Sequence, residues 1–258
     1  MTKAVVDKLQ DKKAPLLEHL LELRRRLITS FLILLVAFGV TYYFADPIYN
    51  FLVQPLADAF EGEEGRRMIF TGLAEAFFTE LKVAFYAALF IAFPLMAIQI
   101  WKFIAPGLYK NERRAFLPFL IATPVLFTAG GALVYYIVIP LAWRFFLGFE
   151  QPGGEGTLPI ELEARVGEYL SLVIKLIFAF GISFQLPVLL ILLNKAGLLT
   201  LETLKKGRRY AIVLAFAFAA IMTPPDIISQ IGLGIPILVL YELSILFIQL
   251  TGGKKADT

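Results

Sequence analysis

The chain has 258 residues, of which 59% are hydrophobic and 24 are Phe. That is more hydrocarbon than a soluble domain of ordinary composition can bury, and it points to an all-α integral membrane protein. There is no cysteine and a single histidine, His19, which removes disulfides, thiolate metal sites and cysteine nucleophiles and leaves a histidine-rich metal centre without ligands. The net charge of +3 decides little, because the basic residues fall in short blocks beside apolar segments; that is a pattern of membrane topology and not of a nucleic-acid-binding face.

The first 26 residues carry seven Lys and Arg, and about residues 1–14 are expected to be a flexible cytoplasmic tail. The stretch ends in "EHLLELRRRLI" (Glu18–Ile28), which opens onto the first apolar segment, Leu27–Ala45. A cleaved leader is not the reading, since the basic region is too long and "YYFADP" offers no small-residue cleavage pattern. The arginines suit a helix entering a bilayer from the cytoplasm; Glu18 and Glu22, one turn apart, need another reason. Glu22 and Arg26 are spaced i,i+4 in the favourable acid-first order, although an exposed pair of this kind contributes little. Alternatively, carboxylates at the membrane surface suit a cationic guest, and arginine's planar fork meets a carboxylate bidentately. The residues themselves leave both readings open.

The connection around 46–76 has two basic residues and six acids, among them Asp46, Asp58 and Glu75. It has room for a short amphipathic helix. The second apolar segment, Phe77–Ile100, carries Glu80 and Lys82 near one end; two residues apart, they do not face each other on a helix, and each is expected to snorkel. In "FIAPGLYKNERR" (Phe103–Arg114), Pro106 and Gly107 turn the backbone, and Glu112 joins Glu18 and Glu22 on the basic side of the membrane. The third segment, Phe116–Trp143, has length to spare for tilt. It leads to a connection around 144–168 with two basic residues and the turn-rich "QPGGEGTLP".

The fourth segment, Tyr169–Leu193, holds Lys175 near its start and Gln185 just before Pro187. The proline removes a backbone donor, so Gln185 either bonds internally near the kink or faces a cavity or a partner helix. Five basic residues lie in 194–209, ahead of the fifth segment, Tyr210–Met222. Those 13 residues reach only about 20 Å against a hydrocarbon core of about 30 Å, which implies local bilayer thinning or an inner cavity. "TPPDIISQ" (Thr223–Gln230) is a tight turn in which Asp226 can cap the next helix. Glu242, inside the sixth segment Ile228–Leu250, needs a basic, amide or solvated neighbour, because a lone carboxylate at depth costs about 2.5–3.5 kcal/mol.

Six spans with alternating basic loops place both termini in the cytoplasm by the positive-inside rule. The chain reads as one polytopic domain: a six-helix core over about 15–250 and a short tail at 251–258. No internal repeat supports a solute transporter of the inverted-repeat kind. Nor is there a zinc-protease helix, a Gly-x-Ser-x-Gly elbow or a phosphate-binding loop. Neither an enzyme nor a nucleotide-driven pump is expected, and no cofactor.

Four stretches, "HLLELRRRL", "FIAPGLYKNERR", "AFGISFQLP" and "TPPDIISQ", resemble in order and spacing the signature stretches of the TatC family, the core subunit of the twin-arginine protein translocase. The resemblance runs from about Pro15 to Leu250. It implies a short fifth and sixth span, outer loops capping a concave groove, and residence in the bacterial inner membrane. It further implies binding of paired-arginine signal peptides, export of folded proteins driven by the proton gradient, TatA- and TatB-like single-span partners, contact with membrane lipid, and homo- and hetero-oligomers. By position, Glu22, Arg24, Phe103 and Glu112 match signal-peptide-binding residues, with Glu112 the main acidic contact. Gln185 and Tyr135 match intramembrane groove positions, and Pro55, Asp226 and Gln230 match functional positions of the outer side. The position of Gln185 is commonly glutamate in that family; an amide here removes titration and keeps both a donor and an acceptor.

Overall fold

The computed structural model describes residues 3–60, 65–108, 117–154, 156–223 and 226–251, with side chains left out for 3–16, 104–108 and 117. Glu112, in the segment 109–116, lies outside the described residues. The order is α1 (Lys3–Tyr43), α2 (Ala45–Ala59), β1 (Met68–Ile69), α3 (Glu75–Leu108), α4 (Leu117–Leu133), a π-helical turn (Val134–Val138) and α5 (Ile139–Leu147). Then come β2 (Ala164–Arg165), α6 (Val166–Ser183), α7 (Leu186–Lys195), α8 (Leu201–Met222) and α9 (Ile227–Leu250).

Five segments are long and apolar enough to cross a membrane: Leu17–Tyr43, Glu75–Phe103, Pro118–Leu147, Val166–Lys195 and Ile227–Leu250. The chain is therefore a multi-pass membrane protein. Proline shapes two of these segments without ending them. The π-helical turn, where Ile139 N–H reaches back to the Val134 carbonyl, directly precedes Pro140. Phe184 and Gln185 make a non-helical step between α6 and α7, with Pro187 in the first turn of α7, where a missing N–H would be unpaired anyway.

The fifth apolar stretch belongs to a longer helix than its composition suggests. All 22 residues of α8 are helical, but Lys205, Lys206, Arg208 and Arg209 occupy its first half and confine the apolar part to Tyr210–Met222. The expectation of a short sixth span is corrected: α9 has 24 residues, about 36 Å of helix. Its start is capped as the sequence predicts, with the Ser229 N–H donating to Asp226 Oδ1 at 2.7 Å. Glu242 finds its basic neighbour across the α8–α9 hairpin in Arg208, at 2.7 Å.

The main core lies where α4, α5 and α6 meet α2 and α9, around Phe180, Leu170, Val173, Val134 and Leu233. The crossing of α4 and α6 is close because glycine is there. A Cβ on Gly181 would sit 2.5 Å from the Phe127 ring, and one on Gly130 would sit 2.7 Å from the Phe180 carbonyl oxygen. Small residues let helix backbones approach in this way in membranes, where burial from water no longer drives packing. On the opposite flank α1 packs along α3, and Thr41 Oγ1 donates to the Ala84 carbonyl at 2.8 Å. The free face of α1 leaves Phe31, Leu35 and Val36 exposed, as suits hydrocarbon contact.

One end of the bundle carries a cap. Strands β1 and β2, drawn from the two longest connections, pair in parallel through Met68–Ala164 and Ile69–Arg165. Arg66 meets Glu150 with both guanidinium nitrogens, at 2.6 and 2.5 Å, and Glu150 also accepts from the Leu162 N–H at 2.7 Å. The Arg66 hydrogen bond, chiefly, holds the Glu150 carboxyl below its ordinary value of 4.5. A lowered acid stabilises the fold above its ordinary range, and that contribution is lost as pH falls through the folded-state value. Acidification should therefore loosen the cap in the wild type, whereas Glu150→Gln should already be loose at neutral pH and change less. Hydrogen exchange at Leu162 and Ile69 across that pH range checks this; equal acid sensitivity in the two proteins would refute it.

Candidate functional site

Two groups of polar residues sit on either side of the last described turns of α3. Toward α1, Arg26 donates to Glu22 Oε1 and to Gln99 Oε1, each at 3.1 Å. One turn further along α3, the Phe103 ring stacks on His19 with centroids 4.3 Å apart and planes 13° apart. The structure thus brings Glu22 and Phe103 to one place, and Arg24 is exposed beside them. Sequence spacing anticipated the Glu22–Arg26 pair. It missed Gln99 and His19, whose roles depend on the register of α1 against α3. The side chains of Arg26 and Glu22 keep 30% and 34% of their exposure, so water screens the pair and it is worth about 0–1 kcal/mol.

Toward the other side, Ile100 and Trp101 of α3 line a cavity of about 610 Å³ between α3, α4, α7, α8 and α9. Its wall is almost wholly apolar, with Gln185, Thr123, Ser183, Trp101 and Tyr241 supplying the polar groups. Gln185 Nε2 donates to the Thr123 carbonyl at 2.9 Å, and Trp101 Nε1 donates to Thr123 Oγ1 at 3.1 Å. Gln185 Oε1 is buried and has no partner among the described residues. One half of the Gln185 amide thus bonds to α4, not near its own kink as the sequence suggested, and the residue lines the cavity.

Tyr135 lies elsewhere. It sits in the π-helical turn, lines a separate cavity of about 360 Å³, and donates its hydroxyl to the Phe51 carbonyl of α2 at 2.7 Å. That carbonyl is four residues before Pro55, the position whose N–H an α-helix would direct at it. Tyr135 therefore supplies the donor that Pro55 lacks, and its ring stacks on Phe51 with centroids 4.3 Å apart. The sequence singled out both residues without linking them, because 80 positions separate them. At the same capped end Asp226 is buried, with one carboxyl oxygen capping α9 and the other unpartnered among the described residues; Gln230, one turn on, is half-buried. No group of three or more His, Cys, Asp or Glu among the described residues can hold a metal.

The described residues thus define a helical membrane protein with a part-exposed Arg26–Glu22–Gln99 cluster where α1 meets α3 and a lateral apolar cavity on the other side of α3. The sequence model of the family described as "Sec-independent protein translocase protein (TatC)" matches residues 18–236. A relative of that name from Magnetococcus marinus is 51% identical over 247 residues, 96% of this chain and 88% of the relative. The one from Escherichia coli (strain K12) is 38% identical over 240 residues, 93% of this chain and 90% of its own length. A crystal structure titled "Crystal Structure of Twin Arginine Translocase Receptor- TatC" superposes with a TM-score of 0.76 at 38% identity, covering 91% of this chain and 99% of that one. The chain belongs to the TatC family, and it is a component of a twin-arginine protein translocase.

Two consequences are measurable. Tyr135→Phe should cost about 1–2 kcal/mol of stability by orphaning the Phe51 carbonyl. In a Pro55→Ala background, where Ala restores the N–H, the same substitution should cost much less. Unfolding of the four proteins of this cycle in detergent decides, and an equal penalty in both backgrounds would show that the two residues are not coupled. Gln185→Leu removes the donor to the Thr123 carbonyl and should cost about 1–2 kcal/mol of stability; an unchanged melting temperature in detergent would contradict the geometry.

Proposed function

We propose that this chain is the receptor subunit of its translocase, binding paired-arginine signal peptides of folded cargo at the end of α1 and α3. Glu22 and, in the neighbouring segment, Glu112 act as the carboxylates for the guest's two arginines, with Arg24 and Phe103 completing the surface. The observation that carries this reading is the Arg26–Glu22–Gln99 cluster beside the His19–Phe103 stack. It is a guanidinium already seated on the carboxylate, in a pair exposed enough to exchange. A charge-assisted bond of about 1.5–3 kcal/mol per arginine gives discrimination, and lysine, without the planar fork, is a weaker guest.

The apolar stretch that follows the arginines in such a peptide fits along the 610 Å³ cavity, which begins at Ile100 and Trp101, on the same turns of α3 as the cluster. The unpartnered Gln185 Oε1 favours a polar donor from a TatA- or TatB-like single-span helix at the same wall. In this reading α8 is a sixth, short span in the bacterial inner membrane and both termini are cytoplasmic. Pro55, Asp226 and Gln230 act at the outer side, and the proton gradient supplies the energy. Copies of this chain and its small partners together form the path for cargo, because one six-helix bundle is too small to enclose a folded protein.

The test is photo-crosslinking of a twin-arginine signal peptide to the protein in native membranes, comparing wild type with Glu112→Gln and Glu22→Gln. Crosslinks should require Arg-Arg over Lys-Lys in the peptide and fall about tenfold or more in Glu112→Gln. Absence of crosslinks in the wild type would end the receptor reading. Persistence in both variants would leave the receptor and remove the carboxylate mechanism.

A further inference from the structure

Two lysines inside the membrane-spanning helices have no part in the reading above. Lys82 of α3 and Lys175 of α6 line one cavity of about 450 Å³ between α3, α6 and α8, which adjoins the Gln185 cavity across Ile182 and Phe218. Lys82 Nζ donates to Ser171 Oγ at 3.1 Å, and Lys175 Nζ donates to the Ile221 carbonyl at 2.9 Å. Ile221 lies in the last turn of α8, so Lys175 satisfies one of the carbonyls a helix end leaves open and carries the charge its dipole favours there. That bond also fixes the ammonium at the level where the chain turns from α8 into α9, at the capped end. Among the described residues neither lysine has a carboxylate within ion-pair distance, although five acids in this chain are paired with arginine in the cap and the α8–α9 hairpin. An ammonium has three donors, and each lysine has one in use.

Both lysines are exposed, and the rest of the wall is hydrocarbon and aromatic: Tyr86, Ile174, Phe178 and Phe218. A soluble anion would gain nothing from that wall, and a plain hydrocarbon chain would leave two cations uncompensated where lone charge is expensive. The chemistry that satisfies both is an amphiphile with an acidic head. We propose that this cavity binds the phosphate headgroup of an anionic phospholipid from the leaflet at the capped end. The phosphate is clamped between Lys82 and Lys175, and an acyl chain lies against Tyr86, Phe178 and Phe218. The site makes no use of the signal-peptide patch, so it stands or falls independently of the receptor reading.

The experiment is native mass spectrometry of the purified full-length protein in detergent, titrated separately with phosphatidylglycerol and phosphatidylcholine. The wild type should hold its first phosphatidylglycerol about tenfold more tightly than Lys82→Gln does, and more tightly still than Lys82→Gln/Lys175→Gln, whereas Lys82→Arg should stay near wild type. Phosphatidylcholine, whose choline offsets the phosphate charge, should show no such dependence, and inorganic phosphate should not compete. Lys82→Gln leaves the Lys175 bond to α8 in place, and unchanged helical circular dichroism confirms that its fold is kept. Equal phosphatidylglycerol affinity in all four proteins would overturn the proposal. So would unchanged lipid affinity with loss of a co-purifying single-span partner from the lysine variants; the lysines would then face a carboxylate on a partner helix.

Discussion

A backbone carbonyl inside a bilayer has no water to turn to, and much of this structure follows from how such carbonyls are satisfied. At several helix backbones among apolar neighbours, a polar side chain from another element supplies a donor. Tyr135 serves Phe51 in α2, Gln185 serves Thr123 in α4, and Lys175 serves Ile221 in α8. Thr41 and Tyr241 make the same kind of link from α1 to Ala84 and from α9 to Leu204. Each bond joins two elements distant in sequence, so the polar residues that look costly in the sequence are fastenings between helices. In α2 the carbonyl that Pro55 releases becomes such a docking point.

The helices were legible and their fastenings were not. Apolar length located four of the five membrane-crossing segments to within a few residues, because hydropathy is a property of each segment alone; the first begins at Leu17, ten residues ahead of the expected Leu27. Capping of α9 by Asp226 was equally readable, being local chemistry. The β1–β2 pair was not, since its strands are two residues each and 96 positions apart. The length of α9 was legible too, its apolar run Ile228–Leu250 matching the helix to one residue; the short sixth span came only from the family resemblance. The partner of Glu242 was anticipated by type and not by identity; Arg208 is 34 positions away, and only the hairpin register selects it.

The candidate site divides in the same way. The carboxylate of Glu22 and its i,i+4 arginine are written in the sequence, whereas Gln99 and His19 enter only through the contact of α1 with α3. Gln185 and Tyr135 look alike from sequence, each a polar residue in an apolar run, yet they line different cavities. One braces α2 against the bundle; the other keeps an acceptor in reserve. Residue type says that a polar group inside the membrane has a task, and only packing says which.

The confinement of apolar character in α8 to Tyr210–Met222 has a consequence beyond this chain. In the six-span arrangement proposed above, the membrane meets a continuous apolar stretch from Leu27 to Ala45 on the α1 flank and one about two-thirds as long on the α8 flank. The protein therefore presents two hydrophobic thicknesses to its surroundings, and each ångström of mismatch carries a modest penalty. A neighbouring helix with a short apolar stretch is accommodated more easily beside α8, and a longer one beside α1. Lateral sorting of neighbours by length is thus built into the bundle before any specific contact is made.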